Sequence, residues 1–147
     1  MGLIMSLLDE LYKEAIMLHA KNPRNFGEIA NADVVIEGRN TSCGDEITLY
    51  LKAKDDKIID IAFRGHGCAI SQSSASMMTE RVKGKSLEET RDLIGKFKQM
   101  VVEGQPPAPE LGDLRALEGT AKLHSRVKCA TLAWNALEEA LLQLEEA

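Results

Sequence analysis

The sequence predicts an α+β fold in which a three-stranded antiparallel sheet is covered on one side by several α-helices. Three segments within residues 33–64 have the apolar residues typical of strands, and short polar turns join them. The segments before and after them have apolar residues at helical spacing instead. A sheet with one apolar face has to bury that face, so we expect the helices to pack on it. Residues 1–147 are a common length for a single domain, and we find no internal repeat or second domain.

The first helix is predicted from Ser6 to about His19. Ser6 and Asp9 form a start that resembles a capping box, and Pro23 lies in a turn beyond the end of the helix. The apolar residues at helical spacing are Leu7, Leu8, Leu11, Tyr12, Ala15 and Leu18. We interpret this stripe as a packing face, either for the core or for a second subunit.

Three strands follow, at about residues 33–37, 47–53 and 58–64. Apolar residues alternate with others in the second and third of them, which is typical of a strand with one buried face. In the third strand, Ile59, Ile61 and Phe63 are expected to point to the core together. Only the short turn at residues 55–57 separates these two strands, so they are predicted to pair antiparallel.

The second half is predicted to be helical, at residues 69–82, from Ser86 to about Gly104, at about 111–117, and from about Arg126 to the end. The first of these helices follows a turn with two glycines, which places Cys68 at or beside the helix N-terminus. Ser86 and Glu89 form a capping box for the next helix. Residues 105–109 contain three prolines and are predicted to be a rigid loop.

The composition excludes several classes of function. The formal net charge of -5 and the aromatic content of 4% argue against a general nucleic-acid binder, which would have a basic surface and stacking residues. No apolar run approaches the roughly 20 residues that cross a bilayer, so we expect no membrane partner. Three cysteines are an odd number for a secreted disulfide framework, which favours a reducing cytoplasm.

The three cysteines are the candidate functional residues. Cys43 lies in a polar turn between two strands, Cys68 in the strand-to-helix turn, and Cys129 near the start of the last helix. Asp45 is two residues after Cys43, and in an extended chain residues two apart point to the same face. Three thiolates and a carboxylate are a reasonable tetrahedral zinc set, and sulfur ligands favour zinc or iron–sulfur over calcium or magnesium. Because there is no CxxC pair, the spacing alone leaves open that these are buried structural cysteines.

The three histidines are alternative candidates for the fourth ligand position. His19 is expected at the surface or hydrogen-bonded at the end of the first helix. His66 and His124 precede the second and third cysteines by two and five residues. For each of them we favour a solvated or hydrogen-bonded imidazole over a metal ligand.

Basic residues flank the third cysteine. Arg126 and Lys128 lie just before Cys129, where they are expected to lower the pKa of a neighbouring thiol or to attract an anionic partner group. Ordinary solvated charge is the competing interpretation. Cations at a helix start oppose the helix dipole, which weakly favours a functional role.

Four ordered motifs resemble the IscU/NifU N-terminal family. The resemblance runs from about Leu7 to the end of the chain, in order and without a break. The motifs are Asn22-Pro23-Arg24-Asn25-Phe26-Gly27, Ser42-Cys43-Gly44-Asp45, Gly65-His66-Gly67-Cys68-Ala69-Ile70-Ser71 and Lys128-Cys129-Ala130-Thr131-Leu132-Ala133-Trp134.

Within this family the chain resembles the SufU branch. Lys128 precedes the third cysteine, where IscU-type scaffolds have a histidine, and the Leu-Pro-Pro-Val-Lys chaperone-binding motif of those scaffolds is absent from the sequence. Residues from about 101 to 123 resemble the insertion that marks the branch, and Arg126 matches an arginine usual in it. His66 departs from the family pattern, which leaves open a role as an alternative ligand.

The resemblance implies a zinc-dependent sulfurtransferase. Its zinc ligands would be Cys43, Asp45, Cys68 and Cys129. Cys43 would accept persulfide sulfur from a PLP-dependent, SufS-like cysteine desulfurase, for use by downstream iron–sulfur assembly proteins. Asp45 and Arg126 would support the transfer, Asp45 by tuning how easily ligands exchange.

Two other functions remain open at this point. The same four ligands would serve a scaffold on which a [2Fe–2S] cluster is assembled and transferred, although Lys128 in place of histidine favours sulfur transfer. A structural zinc domain that recruits partners is the third possibility. The polar, turn-borne position of the cysteines argues against it, because structural zinc sites are closed.

Overall fold

The computed structural model describes the backbone of residues 2–146 and the side chains of residues 11–146. In this part of the chain, four α-helices, three strands and one 3-10 segment follow one another. Their bounds are α1 Gly2–Lys21, β1 Val34–Asn40, β2 Asp45–Lys54, β3 Lys57–His66, α2 Ala69–Val82, α3 Leu87–Val101, the 3-10 segment Pro109–Lys122 and α4 His124–Glu146. The predicted α+β class with a three-stranded antiparallel sheet is confirmed, in the order β1-β2-β3. Within residues 2–146, no helix has both the length and the apolar character to cross a membrane.

The register between β2 and β3 contains one bulge. Asp60 and Ile58 pair with consecutive residues of β2, so Ile59 between them has no partner on that strand. The extra residue reverses the alternation of inward and outward side chains at this point. Ile58 is therefore buried and Ile59 is 43% exposed. The predicted inward position is wrong for Ile59, whereas Ile61 and Phe63 are buried as expected.

Helices α2 and α4 cover the apolar face of the sheet. That face contributes Val34, Ile36, Ile47, Leu49, Leu51, Ile58, Ile61 and Phe63 to the core. Phe97 of α3 stacks on Trp134 of α4, with ring centroids 4.4 Å apart. A Cβ on Gly38 would lie 3.3 Å from Leu132 Cδ1, so the absence of a side chain there lets α4 lie close to β1. This close approach brings the start of α4 near the end of the first hairpin.

Helix α2 is buried but rich in hydroxyl side chains. Its buried polar residues are Ser71, Ser73, Ser74, Ser76 and Thr79. Ser74 Oγ donates to the Ala130 carbonyl at 2.7 Å and accepts from Trp134 Nε1 at 3.2 Å, which joins α2 to α4. Among the described residues, no buried side-chain nitrogen or oxygen lacks a hydrogen-bond partner. Each unpaired group would cost about 1–3 kcal/mol, so this pairing is what permits a polar helix in the core.

Helix α1 begins at Gly2 rather than at Ser6. Ser6 therefore lies inside the helix and is not its N-cap. The helix ends at Lys21, two residues before Pro23. The predicted capping box and apolar stripe also involve Leu7, Leu8 and Asp9. The side chains of these three residues are not among those that the structure describes.

The face that α1 turns to the core also differs from the prediction. Leu11 is 60% exposed and Leu18 is 52% exposed, whereas His19 is only 4% exposed. His19 Nδ1 lies 2.7 Å from Ser76 Oγ on α2. Of the two predicted alternatives for His19, the surface position is wrong and the hydrogen-bonded imidazole at the end of α1 is confirmed, because the hydroxyl-rich face of α2 offers it a buried partner.

The chain between α3 and α4 contains a longer helical stretch than predicted. A short helix at 111–117 is expected, and the structure has the 3-10 segment from Pro109 to Lys122. Gly112 interrupts it with φ 57° and ψ -127°, a conformation that favours glycine. Leu111 and Leu114 on either side are buried, so the segment is anchored to the core across this break.

Candidate metal centre

The candidate site begins at the end of the β1–β2 hairpin. Alternation along the strands places Asn40 and Asp45 on the inward face, in line with Ile36 and Ile47. The two polar residues pair directly across the hairpin, and Asn40 Nδ2 donates to Asp45 Oδ2 at 3.3 Å. Asp45 is only 1% exposed. The hairpin end therefore holds a buried carboxylate beneath the turn.

Cys43 lies in the turn that joins these two strands. Gly44 closes the turn with φ +72°, and its N–H donates to the Asn40 carbonyl at 2.9 Å. Cys43 is exposed, and its Sγ lies 3.9 Å from the carbonyl oxygen of Ser125 in α4. The turn thus holds an accessible thiol at the rim of the site.

Cys68 is the N-cap residue of α2, as its sequence position predicts. Its backbone N–H donates to Asp45 Oδ1 at 2.9 Å, and the Ser71 hydroxyl donates to the same oxygen at 3.2 Å. Gly67 permits this approach, because a Cβ there would lie 2.3 Å from Asp45 Oδ1. A helix N-terminus attracts negative charge, so the carboxylate and α2 hold each other in place.

Cys129 lies in the second turn of α4 and is fully buried. Its thiol donates to the Ser125 carbonyl at 3.6 Å, and Asn40 Nδ2 donates to its sulfur at 3.7 Å. The Ser125 carbonyl is therefore within reach of both Cys43 and Cys129. Packing of α4 on β1 brings these two distant parts of the chain together.

The structure places three of the four predicted ligands in one group. The sulfurs of Cys43 and Cys129 and a carboxylate oxygen of Asp45 all lie within 4.8 Å of one another. The Cys68 thiol interacts with the Cys129 thiol but is outside that group, so it borders the site. Two thiols and a carboxylate, with a third thiol at the border, suit a tetrahedral zinc ion. The donor set present therefore fits zinc.

The carboxylate of Asp45 is prepared to carry negative charge. Burial raises its pKa, but the hydrogen bonds from the Cys68 N–H, Ser71 and Asn40, together with the nearby Cys129 side chain, lower it below its usual value. Asp45 is therefore ionised at neutral pH. An ionised carboxylate is the form that binds a cation.

The thiol of Cys129 is held in its neutral form. Burial raises its pKa most, and the neighbouring Asp45 and cysteine side chains raise it further. The prediction that the basic residues lower the pKa of this thiol is wrong, because desolvation outweighs the nearby positive charge. A metal ion would therefore have to displace a proton to bind this sulfur.

Arg126 contacts the site from the first turn of α4, which begins at His124. The nearby side chain of Cys129 is the main reason that the pKa of Arg126 is raised, and Cys68 adds to this. Arg126 is exposed. It thus links the buried sulfur to the solvent side of the site. Lys128 is also exposed.

The histidines are not part of the cysteine group. His66 Nε2 lies 3.1 Å from Glu46 Oε2, its cross-strand neighbour, and its side chain is 72% exposed. His124 is exposed at the start of α4. Neither belongs to the ligand group around Cys43.

Sequence reasoning missed the residues that hold the ligands in place. Asn40, Ser71 and the Ser125 carbonyl contact the thiols or the carboxylate. The alternation of Val34 and Ile36 along β1 could have placed Asn40 on the inward face. The contacts of Ser71 and Ser125 depend on how the helices pack, so no local sequence pattern indicates them.

Comparisons with known proteins identify relatives along most of the chain. The sequence profile of the NifU-like N terminal domain matches residues 11–146. The chain is 44% identical over 140 residues to the zinc-dependent sulfurtransferase SufU of Bacillus subtilis, with 94% of each chain covered. It is 46% identical to the iron–sulfur cluster assembly scaffold protein IscU of Streptococcus pyogenes, over 93% of this chain and 86% of that protein. A solved structure of a candidate SUF-system scaffold from Fervidobacterium islandicum matches with a TM-score of 0.82 and 41% identity, covering 87% of this chain and 94% of that one.

Proposed function

The chain belongs to the family of the NifU-like N-terminal domain, and from this we propose that it is a zinc-dependent sulfurtransferase for iron–sulfur cluster assembly. It accepts persulfide sulfur from a PLP-dependent cysteine desulfurase of the SufS type and passes it to downstream iron–sulfur assembly proteins. One observation carries the proposal: Cys43 is exposed, whereas Asp45 and Cys129 in the same group are buried. The likeness to SufU of Bacillus subtilis supports it.

The proposed zinc ligands are Cys43, Asp45, Cys68 and Cys129. When bound, zinc would keep the thiols deprotonated without adding redox chemistry of its own. Asp45 supplies the hardest donor atom, which the N-terminus of α2 holds in a fixed position. Arg126 places a permanent positive charge near the sulfurs, where it attracts an anionic persulfide.

The proposed reaction is an exchange between a thiolate and a persulfide. The Cys43 thiolate attacks the terminal sulfur of the persulfide on the desulfurase cysteine, and a new sulfur–sulfur bond forms on Cys43. The sulfur–sulfur bond of the desulfurase persulfide breaks, and its cysteine leaves as a thiolate that takes up a proton. The exchange needs no external oxidant or reductant. An exposed turn suits Cys43 for this step, because the incoming sulfur is carried by another protein.

We also propose that residues 1–147 are a single IscU/SufU-like domain and that residues 101–123 are its branch-specific insertion. The 3-10 segment forms most of that insertion and packs against α1, α2 and α3. It therefore lies on the helical layer and not on the hairpin that holds Cys43.

The test compares Cys43→Ala with Ser42→Ala, a matched control at an exposed position of the same turn. The proteins are purified without oxygen, analysed for metal and added to a cysteine desulfurase. We expect about one zinc per chain in the unaltered protein. Desulfurase turnover and persulfide transfer should rise with the unaltered and Ser42→Ala proteins, and Cys43→Ala should accept no sulfur.

Three outcomes would contradict parts of this proposal. Full sulfur transfer to Cys43→Ala would remove Cys43 as the acceptor. Iron and acid-labile sulfide with no gain in turnover would favour the alternative function, a scaffold for a [2Fe–2S] cluster, which the likeness to the scaffold protein IscU of Streptococcus pyogenes supports. Zinc without any gain in turnover would leave a structural metal domain.

A further inference from the structure

A second group of potential ligands joins α1, α2 and the 3-10 segment. A ring nitrogen of His19 and one carboxylate oxygen each of Glu80 and Asp113 all lie within 4.8 Å of one another. His19 is only 4% exposed, whereas the two acidic residues are exposed. We propose that these three side chains bind a divalent transition-metal ion, at a site separate from the cysteines.

The imidazole of His19 is oriented as metal-ligating histidines are. Its Nδ1 lies 2.7 Å from Ser76 Oγ, and the backbone N–H of Arg24 donates to the same oxygen at 2.7 Å. The Nδ1 atom of His19 is therefore hydrogen-bonded to Ser76, and Nε2 is the ring nitrogen that remains available to bind a metal. A hydrogen bond at the second ring nitrogen fixes the tautomer and the ring orientation of ligating histidines. Ser76 and Glu80 are four residues apart on α2, so they share the face that meets His19.

The break in the 3-10 segment positions Asp113. Gly112 has φ 57° and ψ -127°, and a Cβ there would lie 2.8 Å from Arg81 Nη1. Leu111 and Leu114 are buried on either side, so the backbone that bears Asp113 is held at both ends. The carboxylate therefore approaches α2 on an anchored segment rather than on a free loop.

The surroundings leave room for a cation. Two carboxylates this close repel each other, and a bound cation would relieve that repulsion. Arg24 Nε lies 3.8 Å from Glu80 Oε2, but both side chains are half-exposed, so this pair is weak and can separate. Arg81 Nε donates to the Glu110 carbonyl at 2.8 Å and is engaged there. A cleft of ≈ 130 Å³, which Arg81 also lines, borders Glu80 and Asp113 and provides space for water ligands.

The donor set indicates the class of metal. One imidazole nitrogen and two carboxylate oxygens suit divalent first-row ions such as Mn²⁺, Fe²⁺ or Zn²⁺, and this donor set lacks the thiolates that select softer ions. Such an ion would tie the 3-10 segment to α1 and α2. The site would then stabilise the segment by binding only the folded form.

Mn²⁺ is the probe, because it prefers oxygen ligands and should bind only weakly to the cysteine site. The protein first receives one equivalent of Zn²⁺ and is then titrated with Mn²⁺, and free Mn²⁺ is counted by electron paramagnetic resonance. We expect one Mn²⁺ per chain. Asp113→Asn and Glu80→Gln should each weaken binding roughly tenfold or more. Glu118→Gln, an exposed acidic residue of the same segment, is the matched control and should bind as the unaltered protein does.

A second readout does not depend on altering the ligands. The chain has three histidines, so the ring proton signals are few, and the variants His66→Asn and His124→Asn assign the His19 signal by elimination. Paramagnetic Mn²⁺ should broaden the His19 ring signals before the other two. Broadening of His66 or His124 first, binding unchanged in both Asp113→Asn and Glu80→Gln, or no bound Mn²⁺ would each overturn the proposal.

Discussion

At Gly67 the backbone passes so close to Asp45 that a methyl group would overlap the carboxylate. A Cβ there would lie 2.3 Å from Asp45 Oδ1 and 2.5 Å from Ser71 Oγ. Both atoms belong to the hydrogen bonds that hold the carboxylate in place. Gly119 is a matched comparison, because an added Cβ would have no neighbouring atom within 4 Å. The absence of a side chain at Gly67 thus allows the Asp45 carboxylate to take its position in the candidate metal centre.

We therefore expect Gly67→Ala to lower the free energy of unfolding by about 1–3 kcal/mol, because the overlap has to push apart the groups around Asp45. It should also weaken zinc binding. Gly119→Ala should change the free energy of unfolding by less than about 1 kcal/mol. Urea unfolding in the presence of a chelator measures the first effect, and competition with a zinc-binding dye measures the second. Equal stability and equal zinc affinity of the two variants would contradict this assignment.

Single residues could be predicted from the sequence where a local pattern fixes their position. The place of Cys68 at a helix N-terminus follows from the strand and helix patterns that meet there. The burial of His19 does not follow from any such pattern, because it depends on Ser76, which is 57 residues away in the chain. The raised pKa of Cys129 has the same origin, since burial by other elements outweighs the charge of its sequence neighbours.

At the scale of elements, the sequence predicts features that depend on one segment better than features that depend on how two segments pack or pair. The capping box of Ser86 and Glu89 is present in both directions, and α3 begins where it was expected. The bulge at Ile59 was not predicted, since it is a property of the pairing between β2 and β3. The prediction of which face of α1 is buried is also wrong, because the face of α2 that it packs against is polar rather than apolar.

The capping box gives α3 a pH-dependent start. The backbone N–H and the side chain of Ser86 lower the pKa of Glu89. A lowered pKa in the folded state means that the stabilisation is present above the ordinary glutamate pKa and is lost as the pH falls through the lowered value. Glu89→Ala should therefore reduce the Tm at pH 7, and its difference from the unaltered protein should shrink towards pH 3.

Glu88→Ala is the control, because Glu88 is also exposed in the first turn of α3 but does not close the capping box. Glu88→Ala should lower the Tm at pH 7 less than Glu89→Ala does, because only the interaction of Glu88 with the helix dipole is lost. Thermal unfolding followed by circular dichroism at pH 7, 5 and 3 measures both variants. The same pH dependence in the two variants would rule out the capping box as the cause.

At the scale of the whole molecule, the candidate metal centre exists only when the hairpin, α2 and α4 are packed together. Cys43 and Asp45 come from the hairpin, Cys68 caps α2, and Cys129 lies in α4. The positions of these four residues at the ends of elements already suggested a zinc set, but without a CxxC pair their spacing left open that the cysteines are structural, and the resemblance to a family favoured the metal site. Only the close approach of α4 to β1 brings the last sulfur to the others.

Zinc binding should consequently stabilise the whole fold, because the unfolded chain has no preformed site. Free zinc at 100 times its Kd should add about 2.7 kcal/mol to the free energy of unfolding. Cys68→Ser should lose most of this gain. In the presence of a chelator it should unfold at the same Tm as the unaltered protein or higher, because serine is a better N-cap residue than one whose side chain makes no capping hydrogen bond. Calorimetry with zinc and with chelator makes the comparison, and an undiminished zinc effect in Cys68→Ser would exclude Cys68 as a ligand.

The contact between Asn40 and Cys129 spans 89 residues of chain. The exposed residues 102–106 lie within that span, between α3 and the 3-10 segment. A cut there would divide the donors between two pieces, with Cys43, Asp45 and Cys68 on one and Cys129 on the other. Neither piece alone would contain the complete set, so the set would return only when the pieces reassociate around their shared core. The fold could therefore serve as a split reporter. Two separately made pieces would regain the full set of sulfur ligands only when they associate, so the regained set would report their association.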